Sequence, residues 1–163
     1  MRVFIAGGTG HIGSYLVPRL LAAGHEVTVA ARHGQPQHAD ARLGWSRVQW
    51  VLADRRAEEE EGSWQKRMAQ VQADVVMDLL CYRPEQNAMM MAAFEGRISH
   101  FLHCGTLWAY GPASQAPFRE EFPRRPITEY GRLKARIEDD LHVAFRQSGF
   151  PATVIHPGHI SGR

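Results

Sequence analysis

The length, composition and charge of the chain are those of one globular domain. Its 163 residues are enough for a substantial core, with 44% of them hydrophobic and 22% charged. A formal net charge of +2, with scattered Lys and Arg residues, argues against a nucleic acid partner. The chain has neither an apolar run of membrane-spanning length nor a signal-peptide pattern, so we expect a cytoplasmic protein with no membrane partner. Cys81 and Cys104 fall in predicted buried strands, which favours a reducing compartment over a disulfide framework.

Short apolar runs alternate with helical patterns from one end of the chain to the other. Several runs are continuously apolar, as burial on both faces of a parallel sheet requires. The predicted strands are Arg2–Ala6, Glu26–Ala31, Val48–Ala53, Asp74–Leu80, His100–Cys104 and Ala152–His156, and the helical patterns cover residues 12–23, 57–72, 85–95 and 128–148. The alternation predicts an α/β domain over residues 1–163, a doubly wound parallel sheet (a Rossmann fold) with helices on both faces. Its ligand crevice should lie at the carboxyl ends of the strands.

A glycine-rich loop follows the first predicted strand and opens the first predicted helix. Gly7 allows the tight turn, Gly10 allows the close approach of a ligand, and Gly13 lets helix and strand pack together. The spacing is GxxGxxG rather than the common GxGxxG, and a turn without a ligand is the alternative. Backbone N–H donors at a helix N-terminus suit a pyrophosphate. The loop therefore predicts a dinucleotide site that includes Gly7, Thr9, Gly10, His11, Ile12 and Gly13.

The end of the second predicted strand should choose between two cofactors. A carboxylate there binds the ribose hydroxyls of NAD, whereas an arginine accommodates the 2′-phosphate of NADP. Because Arg32 and His33 follow the strand and no acid occurs before Asp40, NADP is favoured over NAD. The alternative is that Arg32 is a solvated loop residue. Asp54, after the third strand, either accepts a hydrogen bond from the adenine amino group or caps the next helix.

The second helical pattern begins with four consecutive glutamates. This run, Glu58–Glu61, predicts a solvated helix start rather than an interaction feature, because acidic residues suit the positive end of the helix dipole.

Three residues further along the chain carry proton-transfer chemistry. Tyr130 and Lys134 are four positions apart on the last predicted helix, so they share one face. A tyrosine is a poor base at neutral pH, and a neighbouring ammonium favours the phenolate, so we expect Lys134 to lower the pKa of Tyr130. Thr106, just past the fifth strand, is placed to orient a substrate oxygen. A tyrosine and lysine at this spacing alone are typical of a solvated pair, but the glycine loop upstream favours catalysis.

With these motifs the chain resembles the extended short-chain dehydrogenases/reductases of the NAD-dependent epimerase/dehydratase family. The resemblance covers essentially the whole chain. It rests on the glycine loop, Asp54, residues 104–111, the Tyr130/Lys134 pair and the segment His156-Pro157-Gly158.

The family resemblance implies a role for each of the three proton-transfer residues. It implies that Thr106 is catalytic and that Tyr130 is the general acid or base during hydride transfer. Lys134 would lower the pKa of the tyrosine and hold the nicotinamide ribose. Leu79 and Pro157 are further expected cofactor contacts, and a homodimer through the helices near 85–95 and 128–148 follows from the resemblance alone.

The sequence departs from the family pattern at three places. His156 stands where the family often has an arginine. Asp78, near the expected nicotinamide, has either a catalytic role or the role of a cap on a nearby loop or helix. The chain stops at Arg163, whereas family members continue into a last strand and a substrate domain, so we expect a fragment of a longer product.

Two other features bear on the site. The histidines near strand ends match no recognised zinc spacing, so no metal is predicted; they are His100, His103, His156 and His159. Trp108 forms either a substrate wall or part of the core.

Two functional hypotheses follow. The first is an NAD(P)-dependent oxidoreductase, epimerase or dehydratase that transfers hydride with Thr106, Tyr130 and Lys134 on a hydroxylated, nucleotide-sugar-like small molecule. The second is a dinucleotide-binding regulatory module without turnover, which the missing C-terminal part favours. Nothing in the sequence identifies the substrate or chooses among the reactions.

Overall fold

The predicted parallel sheet is present in the computed structural model, which describes residues 1–36, 44–112, 117 and 119–161. Within these residues, six parallel strands are hydrogen-bonded in the order β3-β2-β1-β4-β5-β6. The strands are β1 (Arg2–Ala6), β2 (Glu26–Ala31), β3 (Gln49–Leu52), β4 (Val75–Asp78), β5 (His100–Cys104) and β6 (Ala152–Ile155). The order places the first strand beside the fourth, so the direction of winding reverses between them.

The helices connect successive strands, as the alternating pattern predicts. They are α1 (His11–Ala22), α2 (Arg55–Glu60), α3 (Trp64–Ala69), α4 (Pro84–Phe94) and α5 (Glu129–Ser148), with 3-10 turns at Trp45–Arg47 and Leu107–Ala109. The single helix predicted over 57–72 is wrong, because Gly62 takes a left-handed conformation (φ +73°) and separates α2 from α3. No helix of the described ranges is both long enough and apolar enough to span a bilayer.

Apolar side chains fill the space on both faces of the sheet. On one face, α1 contributes Val17 and Leu21 to a cluster with strand residues such as Ile5 and Val29. On the other face, α3, α4 and α5 pack together over Phe4, Val76 and Phe101 through Met68, Met90, Phe94, Ile137 and Leu141. Helices thus cover both faces, and the carboxyl ends of the strands remain as the edge where loops can form a site.

Candidate active site

A cleft of about 810 Å³ opens at the carboxyl ends of β1, β2 and β3. Its volume is within the range of small-molecule and cofactor sites. The predicted cofactor residues that line it together are Gly7, Thr9, Gly10, Arg32 and Asp54. The strand order therefore brings three separate sequence segments to one cleft.

The glycine loop has the geometry that a pyrophosphate needs. Gly7 has a left-handed backbone (φ +86°), which turns the chain out of β1. A Cβ at Gly13 would lie 2.1 Å from the carbonyl oxygen of Gly8, so only glycine lets α1 start this close to the turn. A Cβ at Gly10, by contrast, would make only an ordinary van der Waals contact, with the carbonyl oxygen of Gly7 at 3.7 Å. Gly10 is the N-cap of α1 and has no side chain to cap the first-turn N–H groups, so this helix start fits an anionic group.

Asp54 and Arg32 both line this cleft. Asp54 caps α2, since its Oδ1 accepts hydrogen bonds from the backbone N–H groups of Arg56 (3.0 Å) and Ala57 (3.3 Å). Of the two roles predicted for Asp54, the ligand-free chain thus shows the helix cap. Arg32 is exposed at the end of β2, and Asp40, the first acid after it, lies outside the described residues.

A second cleft, of about 450 Å³, opens where β4, β5 and β6 end. The predicted residues that line it are Ile12, Leu79, Thr106, Tyr130, Lys134 and Pro157. Tyr82 lines both clefts, so the two adjoin there. His11 lines neither cleft; its ring lies 5.7 Å from that of Tyr15. Trp108 is 59% exposed and lines the second cleft, so the alternative of core packing is wrong.

Local hydrogen bonds fix the backbone next to Thr106 and Tyr130. The Oγ1 of Thr128 accepts a hydrogen bond from the N–H of Gly131 (3.0 Å) and thereby starts α5. A Cβ at Gly131 would lie 2.4 Å from the carbonyl oxygen of Trp108, so α5 begins in direct contact with the 3-10 turn. The Oγ1 of Thr106 accepts a hydrogen bond from the N–H of Trp108 (3.3 Å). These contacts fix the backbone on both sides of the cleft.

The expected lowering of the pKa of Tyr130 by Lys134 is wrong for the ligand-free chain. Burial raises the pKa of Tyr130 above its ordinary value, Cys104 raises it further, and a hydrogen bond with Thr106 only partly offsets them. Lys134 does not lower this pKa, because its ammonium group is bonded elsewhere. Its Nζ donates hydrogen bonds to the carbonyl oxygens of Cys81 and Cys104, both at 2.6 Å.

Lys134 is buried against a histidine that the sequence had not linked to it. Its Nζ lies 3.4 Å from Nε2 of His103, which is fully buried on β5. Burial lowers the pKa of Lys134. Burial, with a smaller effect of Lys134, lowers the pKa of His103 to about 3, so the imidazole is neutral at physiological pH.

Asp78 lies beneath the site and is not a cleft residue. Its Oδ1 accepts hydrogen bonds from the N–H of Leu80 (3.1 Å) and from Nη1 of Arg55 (2.7 Å), which confirms the loop-cap alternative. Arg55 also bonds Glu59 through Nε (2.6 Å). The side chain of Glu59 is therefore buried, and the prediction of a solvated helix start over Glu58–Glu61 is wrong at this residue. The sequence signal for the Arg55–Asp78 pair was an arginine at a helix start and an acid at a strand end.

His156 is held by a carboxylate. Its Nε2 lies 2.7 Å from Oε1 of the buried Glu138, whose Oε2 accepts a hydrogen bond from Arg124 (2.8 Å). Arg124 also contacts Asp139. Because residues 157–160 follow directly and line the second cleft, this network anchors that wall.

Two residues that sequence reasoning missed are Tyr82 and Gln86. The ring of Tyr82 lies 5.5 Å from Nζ of Lys134, and its N–H donates to Oε1 of Gln86 at 2.8 Å. An aromatic residue just past the strand at the winding reversal was the available signal. Among the described residues, no group of three or more His, Cys, Asp or Glu side chains is arranged to hold a metal ion.

Comparisons with known proteins find a matching family and several relatives. The model of the NAD dependent epimerase/dehydratase family matches residues 3–163. The chain is 29% identical over 160 residues to a 2'-dehydrokanamycin reductase of Streptomyces kanamyceticus, covering 98% of this chain and 43% of the relative. It is 28% identical over 180 residues to a dTDP-6-deoxy-L-talose 4-dehydrogenase (NAD(P)(+)) of Kitasatospora kifunensis, covering 99% and 53%.

The fold is also that of a solved sugar epimerase. The UDP-glucose 4-epimerase of Thermus thermophilus in complex with NAD superposes with a TM-score of 0.76 at 23% identity, over 96% of this chain and 54% of that one. The chain thus spans about half the length of the proteins that it matches.

Proposed function

The chain belongs to the NAD-dependent epimerase/dehydratase family, and we propose that residues 1–163 form the NAD(P)-binding domain of an oxidoreductase, epimerase or dehydratase. Its substrate would be a hydroxylated small molecule resembling a nucleotide sugar. The observation that carries the proposal is that Thr106, Tyr130 and Lys134 line one cleft, which adjoins the glycine-loop cleft at Tyr82. The predicted cytoplasmic location and the homodimer through α4 and α5 stay predictions.

The three residues divide the proton chemistry between them. When bound, the nicotinamide cofactor supplies or accepts the hydride. Tyr130 is the proton donor to the substrate oxygen in the reductive direction, because its raised pKa keeps the hydroxyl protonated at neutral pH. Thr106 forms a side-chain hydrogen bond with Tyr130, so the two hydroxyl groups lie side by side and can bind the same substrate oxygen. Lys134 supplies a fixed positive charge at the inner wall of the cleft.

We propose NADP rather than NAD as the cofactor. Support comes from Arg32, which is exposed at the end of β2 and lines the first cleft together with His33. A guanidinium binds a phosphate through two parallel hydrogen bonds, which is the geometry that the 2′-phosphate of NADP presents.

The second candidate is a dinucleotide-binding regulatory module without turnover. The observation that favours it is the ammonium of Lys134, which already donates to two carbonyl groups, while the pKa of Tyr130 is raised rather than lowered. A chain built only to bind the cofactor needs no tyrosine tuned for proton transfer.

Titration calorimetry of the purified chain with NADPH and NADH tests the cofactor proposal. We expect tighter binding of NADPH, and Arg32→Ser should weaken NADPH binding by about tenfold or more while leaving NADH binding unchanged. Arg136→Ser, an exposed change on α5, is the control for a general loss of positive charge. If neither nucleotide binds, the proposal fails. If Arg32→Ser weakens both nucleotides equally, the NADP preference fails.

Tyr130→Phe separates the enzyme from the regulatory module. The change removes one hydroxyl from a residue that is 40% exposed, so cofactor affinity should hardly change. In the enzyme, turnover of UDP-glucose or another UDP-sugar, followed by nicotinamide absorbance and product analysis, should fall by about 100-fold or more. Turnover that is equal in the wild type and the variant would exclude Tyr130 as the proton donor. Cofactor binding with no turnover by the wild type would favour the regulatory module.

A further inference from the structure

We propose that His103 is a positioning residue that holds the ammonium group of Lys134 at the inner wall of the cleft. The inference rests on the proposed function, since it concerns the lysine of the Thr106–Tyr130–Lys134 set. His103 touches neither cleft and acts through Lys134 alone.

The contacts around Nζ account for all three N–H donors of the ammonium. Two go to the carbonyl oxygens of Cys81 and Cys104 at 2.6 Å. The third faces Nε2 of His103, which lies 3.4 Å from Nζ. Cys81 follows β4 and Cys104 ends β5, so these acceptors surround the ammonium at the ends of two adjacent strands. A lysine side chain has four flexible bonds, and three acceptors at fixed positions select one of its conformations.

The charge state of His103 suits it to this role. Burial, with a contribution from Lys134, keeps the pKa of His103 near 3, so the ring is neutral and one nitrogen is an acceptor. Since Nε2 faces an ammonium, the ring proton belongs on Nδ1. That atom is buried and has no hydrogen-bond partner within the described residues. Burying an unpaired polar atom costs free energy, which an apolar side chain at this position would avoid. The gain that offsets this cost is the contact of Nε2 with Lys134.

The other groups around Lys134 also bear on its charge. Asp78 is the register partner of His103 on β4, and Glu138 lies one turn further along α5. Burial lowers the pKa of Lys134, and Cys81, Cys104, Asp78 and Glu138 act in the opposite direction. Arg55 neutralises Asp78 directly at 2.7 Å. His103 is therefore the neutral acceptor among charged neighbours, and its loss should leave the ammonium less stabilised.

The chain contains only two lysines, Lys66 and Lys134, which makes the position of the ammonium measurable. With labelled lysine, an NMR pH titration gives one signal for the buried Lys134 and one for the exposed Lys66 as an internal reference. In His103→Leu, the midpoint of Lys134 should fall by about one pH unit, because the charged form loses an acceptor. In His103→Gln, whose side-chain oxygen accepts a hydrogen bond, most of that shift should be restored. His100→Gln, on the same strand, should have no effect.

Binding of NADPH by the same variants tests the consequence for the site. His103→Leu should weaken binding by about tenfold, and His103→Gln should return it to within about threefold of the wild type. Equal lysine midpoints in the wild type and in His103→Leu would overturn the proposal, as would equal damage by Leu and Gln. If His103→Leu does not fold, a Lys134 signal in His103→Gln at its wild-type midpoint supports the proposal and a shifted one opposes it. If the wild type binds no nucleotide, the proposed function fails, and the lysine titration still decides the contact.

Discussion

Replacing Arg55 with methionine should destabilise the fold by about 3–5 kcal/mol, because it leaves buried carboxylates without a cation. Asp78 is fully buried and Arg55 is only 8% exposed, with 2.7 Å between Oδ1 and Nη1. The same guanidinium bonds Glu59, which is 5% exposed, at 2.6 Å. Since two carboxylates lose their partner at once, we expect the upper part of that range. Typical domains have only about 5–15 kcal/mol of stability, so the variant should be marginal.

Urea unfolding followed by circular dichroism at neutral pH measures this loss by linear extrapolation. Arg56→Met is the matched control, because the next residue of the same helix pairs with Glu60 on the surface at 86% exposure. It should change stability by no more than about 0.5 kcal/mol. Combining Arg55→Met with Asp78→Asn should recover part of the loss, since one unpaired charge disappears. If Arg55→Met and Arg56→Met differ by less than about 1 kcal/mol, the buried-pair reasoning is refuted.

Other consequences concern the glycine turn, the pH dependence and the exposed tryptophan. Gly13→Ala should lower the melting temperature, because its Cβ would lie 2.1 Å from a carbonyl oxygen, whereas Gly10→Ala should keep it and weaken NADPH binding in calorimetry by about tenfold. His103, with a pKa near 3 when folded, gains a proton on unfolding below pH 6.5. The free energy of unfolding should therefore decrease as the pH is lowered from 6.5 towards 3, by up to about 1.4 kcal/mol per pH unit. Urea unfolding of His103→Gln should lack this contribution. Trp108→Ala should cost less than about 0.5 kcal/mol in urea, against about 3–5 kcal/mol for the buried Trp64→Ala.

Hydrophobic runs predicted the strands well because a doubly covered parallel sheet buries whole strands. The bounds of β1, β2 and β5 agree with the predictions, and the other strands are shorter at one or both ends. The strand predicted to reach Leu80 ends at Asp78, whose Oδ1 accepts a hydrogen bond from the N–H of Leu80 (3.1 Å). The side chain of Leu80 fills the space over Gly7, where a Cβ would lie 2.4 Å from its Cγ. No local pattern shows such a contact, because it joins residues that are distant in sequence.

The convergence of the site was predictable, whereas its electrostatics were not. Parallel strands present their carboxyl ends at one edge, so the glycine loop, Thr106 and the start of α5 had to meet there. The position of the Lys134 ammonium group depends on two carbonyl groups near the ends of β4 and β5. The positions of these carbonyl groups follow only from the packing of the folded chain. The helical spacing of Tyr130 and Lys134 therefore predicted a shared face correctly and a lowered tyrosine pKa wrongly.

Burial separates the polar groups of this edge into two layers with different tasks. The lower layer consists of the buried residues Arg55, Asp78, His103 and Lys134, whose bonds to fixed partners leave each side chain one arrangement. Asp78 and His103 lie behind the clefts, and Arg55 and Lys134 also form part of the cleft lining. Tyr130 belongs to the upper layer, because it is exposed and lines the second cleft. A site is preorganised when such a fixed layer supports the groups that react. Changes in the lower layer should therefore reduce stability and binding together, whereas changes such as Tyr130→Phe should affect function alone.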